Sequence, residues 1–197
     1  REVVVPFERA PLFEAVAGDI RRLGDHPGLF DGIDGVIHLA SISNAPSCNL
    51  DAEMAVEVNV EGAVALARRA KAAGTARFVF ASTCSVYGQG VFELLDEESP
   101  PNPVSTFGQS KLAAERALLA LGGEGFEPVI SRAAASIGWS PRMRFDLALN
   151  EMTATALRQG RIVVRGGGNQ WRPFVHVRDA ARAMIAMLEA PAEQVAG

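Results

Sequence analysis

Gly35-Val36-Ile37-His38-Leu39-Ala40 is an unbroken, largely apolar run, preceded by Asp34 and followed by Ser41-Ile42-Ser43-Asn44. A strand wetted on one face alternates polar and apolar residues, whereas a strand covered on both faces need not. This run therefore reads as an interior strand of a parallel sheet. Working outward, Arg77-Phe78-Val79-Phe80-Ala81 repeats the pattern, and Pro128 to Arg132 repeats it again. Between the first two lies Ala52 to Ala73, whose Val56, Val60, Ala63, Val64 and Ala67 share one helical face, with Gly74 as a stop. Between the second and third, a helix is expected from Phe107 to Leu121, ended by Gly122-Gly123. Strands separated by crossovers of this length pair in parallel, so the expected fold is a doubly wound α/β sheet. Val3 to Val5 is a further candidate strand.

The texture changes beyond Arg132. Asp146 to Gln159 reads as a helix, Arg161 to Arg165 as a short strand and Gly166-Gly167-Gly168-Asn169 as a turn. Phe174 to Val177 reads as extended and Arg178 to Glu189 as helical. Two parts are expected, residues 1–133 holding the sheet and 134–197 forming a second region.

The chain has 197 residues, 48% hydrophobic and 21% charged, a composition that supports a packed core and excludes a disordered chain. Its net charge of −4 argues against general nucleic-acid binding, which needs a basic face. Cys48 and Cys84 are too few for a disulfide framework and form no zinc pair; reduced thiols in a cytoplasmic protein are expected. No apolar run is long enough to suggest a membrane span. The chain begins without Met, inside a strand-like run, which leads us to expect a longer parent on both sides.

Ligands of open α/β sheets bind at the carboxyl ends of the strands. Four polar segments fall on that edge: Ser41 to Asn44, Ser82-Thr83-Cys84-Ser85, Ser105 to Lys111, and Ala133 to Ser140. Phe107 and Lys111 lie one helical turn apart and share a face. His38, within a buried strand, reads as a core residue rather than a catalyst.

Ser82-Thr83-Cys84-Ser85-Val86-Tyr87-Gly88, followed by Pro103-Val104-Ser105-Thr106-Phe107-Gly108-Gln109-Ser110-Lys111-Leu112, resembles the catalytic stretch of the extended short-chain dehydrogenases/reductases. Gly18-Asp19-Ile20-Arg21, Val36 to Ala40, Asn59-Val60-Glu61-Gly62 and Trp171 to Asp179 agree with it in order and spacing, most closely with the nucleotide-sugar epimerase/dehydratase branch. The resemblance implies a Rossmann-like NAD-binding domain over 1–133 and part of a substrate-binding region over 134–197. It implies that Asp19 and Ile20 hold the adenine of NAD, that Leu39, Ala40 and Ser41 line the cofactor, and that Asn59 orders the site. Thr83 would bind the reacting sugar oxygen and Lys111 the nicotinamide ribose. Asn150 and Arg172 would hold the diphosphate of a nucleotide sugar. A homodimer through the helices at Ala52–Ala73 and Phe107–Leu121 is also implied. NAD is the expected cofactor, with NADP left open.

The chain departs from the family's pattern in four places. Phe107 stands where the family has its catalytic tyrosine, so turnover is expected to be impaired: a phenyl ring passes no proton. An engineered replacement, a non-catalytic NAD- or nucleotide-sugar-binding paralogue and an acid/base relocated to Tyr87 or Cys84 all remain open. The family's glycine-rich phosphate cradle has no counterpart within these residues; Gly122-Gly123-Glu124-Gly125 follows a helix and precedes a strand, the wrong order for it. Cys84 and Ser85 replace the two acidic residues of the dehydratases, which favours epimerisation or simple redox chemistry. Ala133, Ala134 and Ala135 are smaller than the family's usual side chains there, which leaves the sugar open.

Overall fold

The computed structural model describes residues 10–89, 94–164, 166–169 and 171–195. The candidate strand Val3–Val5 lies outside them. Strands β1 (Gly35–His38), β2 (Arg77–Ala81) and β3 (Glu127–Ser131) form a parallel sheet in the order β1-β2-β3. His38 pairs with Phe80 and Phe80 with Ile130, so the carboxyl ends are level and the segments that follow leave from one edge. This is the Rossmann-like arrangement expected.

Asn44 opens helix α1 (Ala45–Leu50): its side chain accepts the Ser47 N–H at 2.7 Å, and proline occupies the first turn. Asp51 caps α2 (Ala52–Val56) through the Met54 N–H at 2.8 Å. The expected single helix from Ala52 to Ala73 is interrupted by a π-helical segment, Glu57–Gly62, before α3 (Ala63–Ala72). Ser105 caps α4 (Thr106–Leu119) by accepting the Gly108 N–H at 3.1 Å. Phe78 and Phe80 of β2 pack against Leu66, Ala67 and Ala70 of α3 and Ala114 and Leu118 of α4, with Phe30 closing the cluster.

Two compact units emerge. One comprises residues 18–133 with the described residues after 181; the other comprises 134–181 with the described residues up to 17. In the first, Arg77 donates to the carbonyls of Met187 and Ala190 at 3.0 Å each, at the end of α6 (Val177–Glu189), and pairs with Glu127 at 2.9 Å. That guanidinium satisfies carbonyls a helix end leaves open. The second unit holds the parallel pair β4 (Ala135–Ile137) and β5 (Phe174–His176), and α5 (Ala148–Gln159), which ends at Gly160 in the left-handed region. The strand expected over Arg161–Arg165 does not form in its described part, 161–164: its β-branched residues lie exposed and pair with no strand. A short helix, α7 (Ala192–Val195), is the last described element.

Candidate cofactor and catalytic site

Beyond β1 the chain runs out along the carboxyl edge. Leu39 is 61% exposed, Ala40 is exposed and Ser41 half-buried. Asn59, carried into the interior by the π-helical segment, holds this loop. Its Oδ1 accepts the Ile42 N–H at 2.7 Å, and its Nδ2 donates to the Ile42 carbonyl at 3.1 Å and to Ser110 Oγ at 3.0 Å. One amide thus joins the loop after β1 to α4; π-helical segments of this kind frequently mark functional sites. The buried Cys48 thiol donates to the same Ile42 carbonyl at 3.4 Å, and burial pushes its pKa up.

Beyond β2, Thr83 caps a 3₁₀ turn, Cys84–Tyr87, by accepting the Ser85 N–H at 3.2 Å. The Cys84 N–H donates to the Ala133 carbonyl at 3.0 Å, pinning the turn to the chain leaving β3. Gly88 ends the turn with φ +64°, and a Cβ there would stand 1.9 Å from the Asn102 carbonyl oxygen. A Cβ on Gly108 would meet the Ser85 carbonyl oxygen at 2.8 Å, so the start of α4 lies directly on the turn that Thr83 opens. Phe107, half-buried, sits in that first helical turn, and its carbonyl accepts the Ser110 hydroxyl at 2.9 Å.

Lys111 is 3% exposed. Its Nζ donates to the Ala81 carbonyl at 2.8 Å and stands 4.5 Å from the centroid of the Phe80 ring. Burial pulls its pKa down to about 8, against the opposing pull of Cys48 and Glu115. His38 stacks on Phe80 at 5.8 Å between centroids, and its Nε2 has no hydrogen-bond partner among the described residues. Burial, aided by the nearby Lys111 charge, lowers its pKa to about 4, so it is neutral at pH 7 and behaves as the expected core residue.

A cluster that the sequence reading missed lies behind this edge. The Glu115 carboxylate accepts from the Ser82 hydroxyl and from Arg132 Nε and Nη2, at 3.1 and 2.8 Å for the guanidinium. Arg132 Nη1 donates to the Tyr87 hydroxyl at 3.0 Å, with the guanidinium 5.1 Å from the centre of that ring. Tyr87, the one tyrosine of the chain, is thus a buried partner of Arg132.

Asp19 is held by its neighbour: Arg21 Nε and Nη2 take both carboxylate oxygens, at 3.1 and 2.7 Å, and hold the carboxyl down at about 2. Ile20 packs over Gly62 and the core. Asp19, Ile20, Leu39, Ala40, Ser41, Asn59, Thr83, Phe107 and Lys111 all fall in one unit. Asn150 and Arg172 belong to the other. There, Asn150 Nδ2 donates to the Arg144 carbonyl at 3.0 Å in the first turn of α5, and Arg172 is exposed beside Trp171.

Residues 2–197 match the model of the NAD dependent epimerase/dehydratase family. A dTDP-glucose 4,6-dehydratase of Streptomyces griseus is 33% identical over 183 residues, 90% of this chain and 53% of that protein. The uncharacterised UDP-glucose epimerase YtcB of Bacillus subtilis is 28% identical over 85% of this chain and 52% of its own length. Among solved structures, a double mutant of the Streptomyces venezuelae dTDP-glucose 4,6-dehydratase DesIV, with NAD and DAU bound, superimposes with a TM-score of 0.83. It is 28% identical, over 94% of this chain and 57% of its own. The chain spans about half the length of the curated relatives it matches. Parallel sheet, Thr83 turn, Lys111 helix and family match agree: this chain belongs to the NAD dependent epimerase/dehydratase family.

Proposed function

We propose that the full-length parent is an NAD-dependent oxidoreductase of the nucleotide-sugar 4-epimerase type, and that this chain carries its cofactor-facing sheet and catalytic edge. The observation that carries the reading is the seating of Thr83, Phe107 and Lys111 on two elements that touch, at the level ends of β1 and β2. The edge suits a dinucleotide: Leu39 and Ala40 offer an exposed apolar surface, and Lys111 spends one of its three N–H donors on Ala81. When bound, NAD supplies the hydride-accepting ring. Asp19 and Ile20 would hold its adenine, Leu39, Ala40 and Ser41 its middle, and Lys111 its ribose. Thr83 would hold the sugar oxygen, and Asn150 and Arg172 the diphosphate; arginine is a permanently charged, forked donor well suited to phosphate. Cys84 and Ser85 carry no carboxylate to assist loss of water, which favours epimerisation over dehydration.

Phe107 fills the space of an acid/base without its proton. A positioned acid/base contributes roughly 10²- to 10⁴-fold. Native mass spectrometry with NAD, NADP and UDP-glucose tests binding, and a discontinuous assay of UDP-glucose epimerisation tests turnover. Stoichiometric NAD, with a gain in rate of that order for Phe107→Tyr, supports the enzyme reading. Phe107 itself favours a second reading, a non-catalytic paralogue that binds NAD or nucleotide sugar or pairs into a homodimer. Binding or dimerisation with no turnover in Phe107→Tyr selects that one.

A further inference from the structure

Glu115 is 1% exposed, and a carboxylate so placed must be matched by donors. Its donors come from two other parts of the fold. Ser82 lies between Ala81, whose carbonyl accepts from Lys111, and Thr83, which caps the 3₁₀ turn. Arg132 leaves the end of β3 and reaches on to Tyr87 at the far end of the same turn. One side chain on α4 thus ties down both ends of the turn that Thr83 opens. Glu115 also lies one helical turn beyond Lys111, on the same face. The other titratable groups near Lys111 are His38 on β1, neutral at pH 7, and Cys48 on α1, whose burial favours the neutral thiol. Glu115, although already paired with Arg132 at 2.8 Å, is thus the carboxylate whose charge also favours the ammonium form of Lys111.

We infer that Glu115 is a positioning residue of the catalytic edge: through Ser82 and Arg132 it fixes the Thr83 corner, and through its charge it keeps Lys111 an ammonium donor. The inference rests on the proposed function only for the roles of Thr83 and Lys111. The chain has two lysines, Lys71 and Lys111, so protein labelled with ε-¹³C lysine gives one reporter signal and one internal reference. In Glu115→Gln the Lys111 titration midpoint should fall below its starting value near 8, read against the signal of Lys71, which is bonded to the Leu121 carbonyl on the surface. Glu115→Asp, which retains the charge, should restore most of the shift. Should Glu115→Gln fail to fold, because Arg132 is left unmatched, the double variant Glu115→Leu/Arg132→Met removes both charges together and takes its place. An unmoved Lys111 midpoint in a folded variant overturns the inference, since a purely structural role would lower the Tm without touching that titration. A parallel NAD titration separates the two ideas. Absence of NAD binding by the unsubstituted chain defeats the cofactor reading, and the lysine titration still decides the role of Glu115.

Discussion

Residues 18–133 and residues 134–181 are built from the same kinds of element and treat their apolar side chains differently. In the first, Phe78, Phe80 and Leu118 are enclosed between sheet and helices. In the second, none of the described residues is buried: Trp171 is 95% exposed and Leu157, on α5, 84%. Most helical and strand stability in proteins comes from what covers an element rather than from its own propensity. The sheet around β2 therefore supplies the high-stability end of the molecule, and the β4–β5 pair with α5 the low end. The proposed chemistry divides along the same line, with Thr83, Phe107 and Lys111 on the rigid side.

The sharpest way to break this contrast is Phe78→Ala, which should cost about 3–5 kcal/mol in urea unfolding, the usual loss for an enclosed phenylalanine. A loss below 1 kcal/mol would mean that the sheet does not dominate. His38 gives the next largest effect. Its folded pKa, about 4, lies below the 6.5 of an unperturbed histidine, so between those values the unfolded chain binds the extra proton. Stability should therefore fall as pH drops from 6.5 to 4, by about 3 kcal/mol for this group. His38→Leu should flatten that part of the pH–stability curve, and an unchanged slope would refute the assignment. Removing the α1 cap with Asn44→Ala should cost about 1 kcal/mol in the same unfolding measurement. Leu157→Ala should move stability by no more than about 0.5 kcal/mol, and a large loss would reveal a cover over α5.

The three strands of the main sheet were legible because each carries an apolar run without polar alternation, as an interior strand can, and Gly74 marked the end of the helix before β2 chemically. What escaped the reading was non-local or disguised. Ala135–Ile137 becomes a strand only because Phe174–His176 pairs with it, and no local pattern announces a partner so far along the chain. Ile162-Val163-Val164 has strand residues and no neighbour to use them. Helix α1 was hidden by Pro46, Ser47 and Asn49, loop-like in composition, although Asn44 followed by alanine and proline was a usable start signal. At the site, Phe107 and Lys111 stood out by their one-turn spacing and Thr83 by the family resemblance, whereas Glu115 four residues after Lys111 looks like an ordinary surface pair. Its neighbours Ala114 and Leu118 were the clue that this face turns inward.

The π-helical segment at Glu57–Gly62 has a consequence for how this sequence tolerates change. An α-helix advances about 100° per residue, so a wider turn spends one residue more than the hydrogen bonding of an α-helix needs. Without the wide turn, that extra residue would rotate one stretch by about 100° against the other; the bulge absorbs it and leaves both stretches facing as in a regular helix one residue shorter. Deleting Val58 should therefore let the backbone heal into regular helix with Leu66, Ala67 and Ala70 still against Phe78, while Asn59 loses the placement that holds Ile42 and Ser110. The extra residue thus works as a local insert that serves the loop after β1 and leaves the packing of the sheet alone.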